Sequence, residues 1–226
     1  VGYEELLGVK MIGCQDMLDE LRAQKNEEEL ANMRKAQEIT DDVFAYILTF
    51  IKPGMTERRV AAELVYQMML RGADQVSFDP IVVAGHRSSM PHGVPSDKKI
   101  ERGDFITLDY GAVVDGYHSD MTRTVAVGEV SSKQAEVYET VLAAQKKSLE
   151  VLCAGVSCKD ADAAARDIIK NAGYGNFFGH GTGHGVGIEI HEAPTLNPRS
   201  GDALKIGDIV TVEPGIYLPE KFGVRI

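Results

Sequence analysis

Residues 178–194, FGHGTGHGVGIEIHEAP, gather three of the chain's six histidines, His180, His184 and His191, with glycine at 179, 181, 183, 185 and 187. This spacing satisfies neither GxGxxG nor GxxxxGK[ST], which argues against a phosphate cradle. His180 and His184 stand four apart, as in a helical metal pair, but glycine at every second position speaks against a helix. An extended glycine-rich segment lets backbones approach closely and sets His180 and His184 on one face.

Carboxylates complete the set. Asp109 ends the apolar run DFITLD, Asp120 follows eleven residues later before MTRTVAV, and Glu213 directly follows DIVTV. A charge facing inward at the end of an apolar strand is costly unless a metal or a partner compensates it. A hairpin of the two strands flanking Asp109 and Asp120 would set their carboxylates side by side. Acids and imidazoles together suit Mn²⁺, Co²⁺, Fe²⁺ or Zn²⁺ better than Ca²⁺, and a bridging carboxylate would admit two ions. A plainer alternative is that these acids cap turns or pair with Arg123 and Arg225. No GxSxG elbow is present, and nothing around Cys153 or Cys158 marks a nucleophile. A glycosidase reading of the acid pairs would leave the histidines idle in a chain without Trp.

The 226 residues carry a net charge of -10 and are 44% hydrophobic, as suits a globular protein with a sizeable core. That charge disfavours nonspecific binding to nucleic acid or to an anionic membrane. Cys14, Cys153 and Cys158 are odd in number and without CxxC spacing, so they read as reduced thiols. No apolar run reaches the roughly 18 residues of a membrane span, and the first residues lack a signal peptide's pattern. The expected compartment is the cytoplasm.

The elements that must position the site follow from periodicity and caps. Apolar residues recur at helical spacing from Asn26 to Ile51, Thr56 opens a second helix to about Arg71, and Gly72 follows as its stop. PIVVAG, DFITLDYG and MTRTVAVG read as strands. Helical spacing returns from Ser131 to about Leu152 and from Ser157 to about Asn171, the latter with Asp160 as capping partner. DIVTVEPGIYL reads as a closing strand. GDFITLDYG (103–111) and GDIVTVEPG (207–215) match, with Asp109 opposite Glu213, and each is preceded by a Gly turn, a hydroxyl cap and a helix. This repeat predicts two similar lobes in one α+β domain. It also expects a partner carboxylate about eleven to fourteen residues beyond Glu213, and only Glu220, seven residues on, lies near.

LRAQKNEEELANMRKA, PHGVPSDKKIERGDFITLDYGA, GYHSDMTRTVAVG, FGHGTGHGVGIEIHEAP and VTVEPGIYLPEKFGVRI follow one another from about Leu21 to Ile226. In that order they resemble the Xaa-Pro peptidases, prolidase and aminopeptidase P, of the pita-bread metallopeptidases. The resemblance implies a pita-bread fold: two pseudosymmetric lobes of curved antiparallel sheet backed by helices. Matched position by position, it implies Asp109, Asp120, His184 and Glu213 as metal ligands for two divalent ions, Mn²⁺ first among the candidates. It implies substrate-side and proton-handling roles for His92, His180 and His191, and a place near the active site for Tyr217 and Arg225. Glu213 would also shuttle the proton of the attacking water.

In that family a second glutamate ligand follows the GVRI motif, whereas this sequence closes at Ile226. The implied division is therefore 1–20 as a remnant of an N-terminal domain or a linker, and 21–226 as a catalytic domain truncated at its C-terminal end. The implied activity is hydrolysis of the bond between an N-terminal residue and proline in small peptides. A homodimer stays open as an assembly. SDMTRT, GHGVGIEIHE and VEPGIY resemble the proline-specific branch more than methionine aminopeptidases, which remain the alternative beside a noncatalytic peptide-binding module.

Overall fold

The computed structural model describes residues 2–13 and 15–226; Cys14 lies outside them. Two short helices, α1 (Tyr3–Leu7) and α2 (Gln15–Ala23), precede the repeat-bearing body. The body then runs α3 (Glu27–Phe50), α4 (Glu57–Leu70), β1 (Gln75–Val76), β2 (Ile81–Ala84), β3 (Phe105–Tyr110), β4 (Ala112–Val114), β5 (Tyr117–His118) and β6 (Met121–Ala126). A second helix pair, α5 (Ser132–Val151) and α6 (Cys158–Asn171), leads into β7 (Gly183–Gly185), β8 (Glu192–Leu196), β9 (Gly215–Leu218) and β10 (Phe222–Arg225). The order of helix pair, then short strands, thus occurs twice.

The four long helices begin where the caps place them. Asn26 accepts from the Glu28 and Glu29 amides while Glu29 reaches back to Asn26, a closed capping box. Ser131 and Gln134 close a second one on α5. Thr56 and Ser157 accept from the amides of Arg59 and Asp160. Gly72 follows α4 at φ +95°, a left-handed conformation that glycine takes without strain.

All the named strands pair antiparallel, in the orders β2-β3-β6, β1-β4-β5, β7-β8 and β9-β10. Beneath β2-β3-β6, α3 and α4 supply Val43, Ile47, Val60, Leu64 and Met68, which pack on Val82, Ile106 and Leu108. In the second lobe Val137, Val141, Ala165 and Ile169 of α5 and α6 meet Ile216 and Val224, and Phe105 of β3 joins them from across the lobe boundary. Each such aliphatic side chain, fully buried, contributes about 1.5–3 kcal/mol.

Two expectations change. DIVTV is not a regular strand: residues 209–213 run extended beside 182–186 through Val186 N–H to Ile209 O, Thr211 N–H to His184 O and Glu213 N–H to Thr182 O, and strand β9 starts only at Gly215. Asp109 and Asp120 do not flank a simple hairpin, since the chain leaves β3 for β4 and β5 in another sheet before returning as β6. Residues 15–23 form a helix, tied to the second lobe by Arg22–Glu189. Among the described residues no helix is long and apolar enough to cross a membrane, and Cys153 and Cys158 are unpaired.

Candidate metal centre

Asp109 is the fifth residue of β3, whose six residues are all buried, and it pairs in register with Ile81 on one side and Thr122 on the other. Both neighbouring strands are therefore filled, and its side chain lies between the lobes. Asp120 directly precedes β6. Its position is set by Ser119, whose hydroxyl lies 2.6 Å from Thr40 Oγ1 and accepts from the Ala112 amide, and whose carbonyl accepts from Ser77 Oγ. A Cβ at Gly111 would overlap that carbonyl, so only glycine lets the chain fold back here.

Glycines do similar work around His184. A Cβ at Gly183 would overlap the Thr211 carbonyl, and this close backbone approach draws the 209–213 segment against β7. His184 N–H donates to Thr211 Oγ1 (3.0 Å), and Thr211 Oγ1 in turn donates to Glu213 Oε1 (2.9 Å). The His184 ring donates from Nδ1 to the Gly185 carbonyl at 2.9 Å, which turns Nε2 toward the acids. That Nε2 lies 3.4 Å from Asp120 Oδ2 and 3.1 Å from Glu213 Oε1.

Ligand atoms of Asp120, His184 and Glu213 lie within 4.8 Å of one another. Asp109 adjoins them with one oxygen engaged: Arg225 Nη2 donates to Asp109 Oδ2, while Asp109 Oδ1 is buried without a hydrogen-bond partner among the described residues. The alternative pairing of an acid with Arg225 is thus present at Asp109, on one of its two oxygens. Three observations fit a divalent cation: an orphaned buried carboxylate oxygen, the Gly185 carbonyl that holds His184 Nδ1 and orients the ring, and hard oxygen donors beside one imidazole.

The charge balance is strained without a cation. Burial, then Asp109 and Glu213, push the Asp120 carboxyl up to about 8. Burial also raises Asp109, against the opposing pull of Arg225. For His184 burial favours the neutral ring, yet the hydrogen bonds to Glu213 and Gly185 outweigh it and raise the imidazole. Burial likewise opposes ionisation of Glu213, but His184 and Arg225 hold it below the usual carboxylate range. Asp109, Asp120 and His184 thus hold protons more tightly than they would in water, and Glu213 less tightly.

Of the remaining predicted residues, His92, His180, His191 and Arg225 line the same cavity of about 520 Å³, and Tyr217 stands behind them. His180 Nδ1 meets the Gly181 carbonyl (2.8 Å), and its Nε2 lies 2.8 Å from the Tyr217 hydroxyl, which also accepts from Arg225 Nη1 (3.1 Å). Burial keeps the His180 ring neutral, so the Tyr217 O–H donates to Nε2. His191 stacks edge-on to His184 with ring centroids 4.4 Å apart. His92 is exposed in the turn that follows Pro91, whose carbonyl accepts from Arg225 Nη1 (3.0 Å). Glu220 does not approach: it sits exposed in the β9–β10 turn. Sequence reasoning missed the hydroxyls that hold these segments, Thr40 against Ser119 and Thr211 between His184 and Glu213; the only signal was threonine just before Glu213. From the far side, Asp120 and Glu213 also border a cavity of about 400 Å³.

The sequence description of metallopeptidase family M24 matches residues 31–226. The chain is 47% identical over 211 residues to an Xaa-Pro dipeptidase of Pyrococcus furiosus, covering 93% of this chain and 61% of that protein. It is 51% identical over 217 residues to an uncharacterized peptidase of Bacillus subtilis, covering 96% and 62%. Among solved structures, an Xaa-Pro dipeptidase from Bacillus anthracis superposes with a TM-score of 0.96 at 49% identity, over 99% of this chain and 63% of that one. The chain thus spans somewhat under two thirds of the length of these relatives.

Proposed function

This chain belongs to metallopeptidase family M24 and has its pita-bread fold, and from that premise we propose that it is the metal-binding part of an Xaa-Pro peptidase. The observation that carries the reading is the convergence of Asp120, His184 and Glu213 beside the unsatisfied Oδ1 of Asp109. These four residues would hold two divalent cations, Mn²⁺ foremost. When bound, such a pair supplies Lewis acidity toward a peptide carbonyl and a water of lowered pKa.

The chain's own groups then have distinct tasks. Glu213, held ionised by His184 and Arg225, can accept a proton at its carboxylate. His191 and His92 border the same cavity, and on this reading they donate to the carbonyl or carboxylate of a peptide bound there. His180, kept neutral by burial, and Tyr217 form a hydrogen-bonded pair whose ring and hydroxyl fix one wall. A cavity of about 520 Å³ suits a small peptide, and proline, with no N–H to offer, would be read there by shape. We further propose a cytoplasmic setting.

The test is release of free amino acid from Ala-Pro, Ala-Pro-Ala and Met-Ala-Ser, with Mn²⁺ and after chelation. Metal-dependent cleavage of only the proline peptides supports the reading, and the faster of the two sorts dipeptidase from aminopeptidase. Full metal-dependent turnover by Asp109→Ala would overturn the ligand assignment.

A further inference from the structure

Outside the cavity, one turn apart on α6, Asp162 and Arg166 form a two-pronged ion pair: Arg166 Nε to Asp162 Oδ2 at 2.7 Å and Nη2 to Oδ1 at 2.8 Å. Asp162 is 1% exposed. Neither residue faces a metal ligand, and the helix needs neither bond. What the pair does touch is the irregular stretch between α6 and β7 that carries His180.

Arg166 spans that stretch. Its Nη1 donates to the Phe178 carbonyl (3.1 Å) and its Nη2 to the His180 carbonyl (2.7 Å), so one guanidinium holds the carbonyls on both sides of Gly179. The same guanidinium stacks over the Phe178 ring at 4.2 Å, and the edge-on contact of Phe178 with the His180 ring, 5.1 Å between centroids, extends this contact to the imidazole. Asp162 Oδ1 accepts from the Thr182 amide (3.0 Å) and from Thr182 Oγ1 (2.9 Å). Thr182 then offers its carbonyl to the Glu213 amide at 2.7 Å.

We infer that Asp162 and Arg166 are positioning residues for His180: by fixing the backbone on both sides of the ring they aim Nδ1 at the Gly181 carbonyl and Nε2 at Tyr217. A guanidinium suits this task because its planar fork carries several N–H donors in fixed directions, whereas an ammonium is a single point. At Gly179 a Cβ would meet nothing within 4 Å, so this residue adds no packing between Phe178 and His180, and the guanidinium holds the carbonyls on either side of it. The inference rests on the peptidase reading only for its consequence on turnover.

The deciding measurement is the imidazole ¹⁵N spectrum of the full metal-free chain, with His180 assigned by its loss in His180→Asn. In the wild type the ring should show one neutral tautomer, protonated at Nδ1. In Arg166→Lys and Asp162→Asn, each checked for a cooperative melt, the two ¹⁵N shifts should move toward each other as the tautomers mix. A folded variant with a lower Tm but an unchanged His180 spectrum would show the pair to be merely stabilising and would overturn the inference. Should Asp162→Asn fail to fold, Arg166→Lys decides, because it keeps the charge facing Asp162 and loses only the fork. For Ala-Pro hydrolysis the same variant should lose about 10- to 100-fold in kcat, with KM nearly unchanged. The ring measurement stands even where the wild type cleaves no peptide, so failure of the positioning role and failure of the peptidase reading are told apart.

Discussion

Arg225 Nη2 donates to Asp109 Oδ2 in an ion pair buried on both sides, and among the described residues the opposite oxygen of Asp109 has no partner. Arg225 is 4% exposed, and its other donors reach Thr122 Oγ1, the Pro91 carbonyl and the Tyr217 hydroxyl. One guanidinium therefore ties together β3, β6, β9 and the His92 turn. Replacing Arg225 by Leu leaves Asp109 as an uncompensated buried charge, so urea unfolding of the metal-free chain should show a loss of about 3–5 kcal/mol. Mn²⁺ should restore part of it by supplying the missing positive charge, and an unchanged midpoint would show that Asp109 is neutral in the fold.

The same crowding sets a pH dependence. Asp120 is held up to about 8 in the folded chain against an ordinary value of 3.8, and Asp109 and His184 are raised as well. Between these limits the folded state binds more protons than the unfolded one, so stability falls as pH rises from about 4 to about 8. Chelator-treated protein should lose urea midpoint steadily across that window, and Asp120→Asn should flatten the slope. A midpoint that rises with pH would contradict the proton count.

Glycine spacing around the histidines makes a contrast within one stretch. A Cβ at Gly183 would overlap the Thr211 carbonyl, whereas one at Gly179 would meet nothing within 4 Å, and neither position has positive φ. Gly183→Ala should push 209–213 away from β7, costing about 1–3 kcal/mol and weakening Mn²⁺ binding in a calorimetric titration. Gly179→Ala should stay within about 0.5 kcal/mol of the wild type. Equal effects at the two sites would mean that the close backbone approach does not hold the centre together.

What the sequence made legible divides along physical lines. The four long helices were readable to within a residue because their caps are local: Asn26, Thr56, Ser131 and Ser157 each satisfy amides two or three residues on. Strands β2, β3 and β6 were readable because they are apolar runs bounded by turns. Strands β1, β4, β5, β7 and β8, of two to five residues, were not, because their pairing comes from distant partners such as Val113 for Gln75. The acids and histidines were legible as types that bind metals. Their second attachments, Asp109 to Arg225 and Thr40 to Ser119, join residues 116 and 79 positions apart and have no local signature.

The first lobe has its own buried anchor, and it supplies a last prediction. Glu57, fully buried in the first turn of α4, accepts from the Ala84 amide (2.8 Å), from Arg87 Nε (3.0 Å) and from the amide and hydroxyl of Ser96 (2.9 and 2.7 Å). These partners sit at both ends of the loop that carries His92, a loop whose only regular piece is a turn of 3₁₀ helix, Gly85–Ser89. Glu57→Gln keeps the shape but replaces an acceptor-only group with one that must point N–H₂ at donors. Breaking this buried pair should cost about 3–5 kcal/mol, and hydrogen exchange should quicken at the Ala84 and Ser96 amides before it does in α3. Unchanged exchange at those two amides would mean that the loop is held by its other contacts, Arg225 to Pro91 and Arg87 to Val94, without help from Glu57.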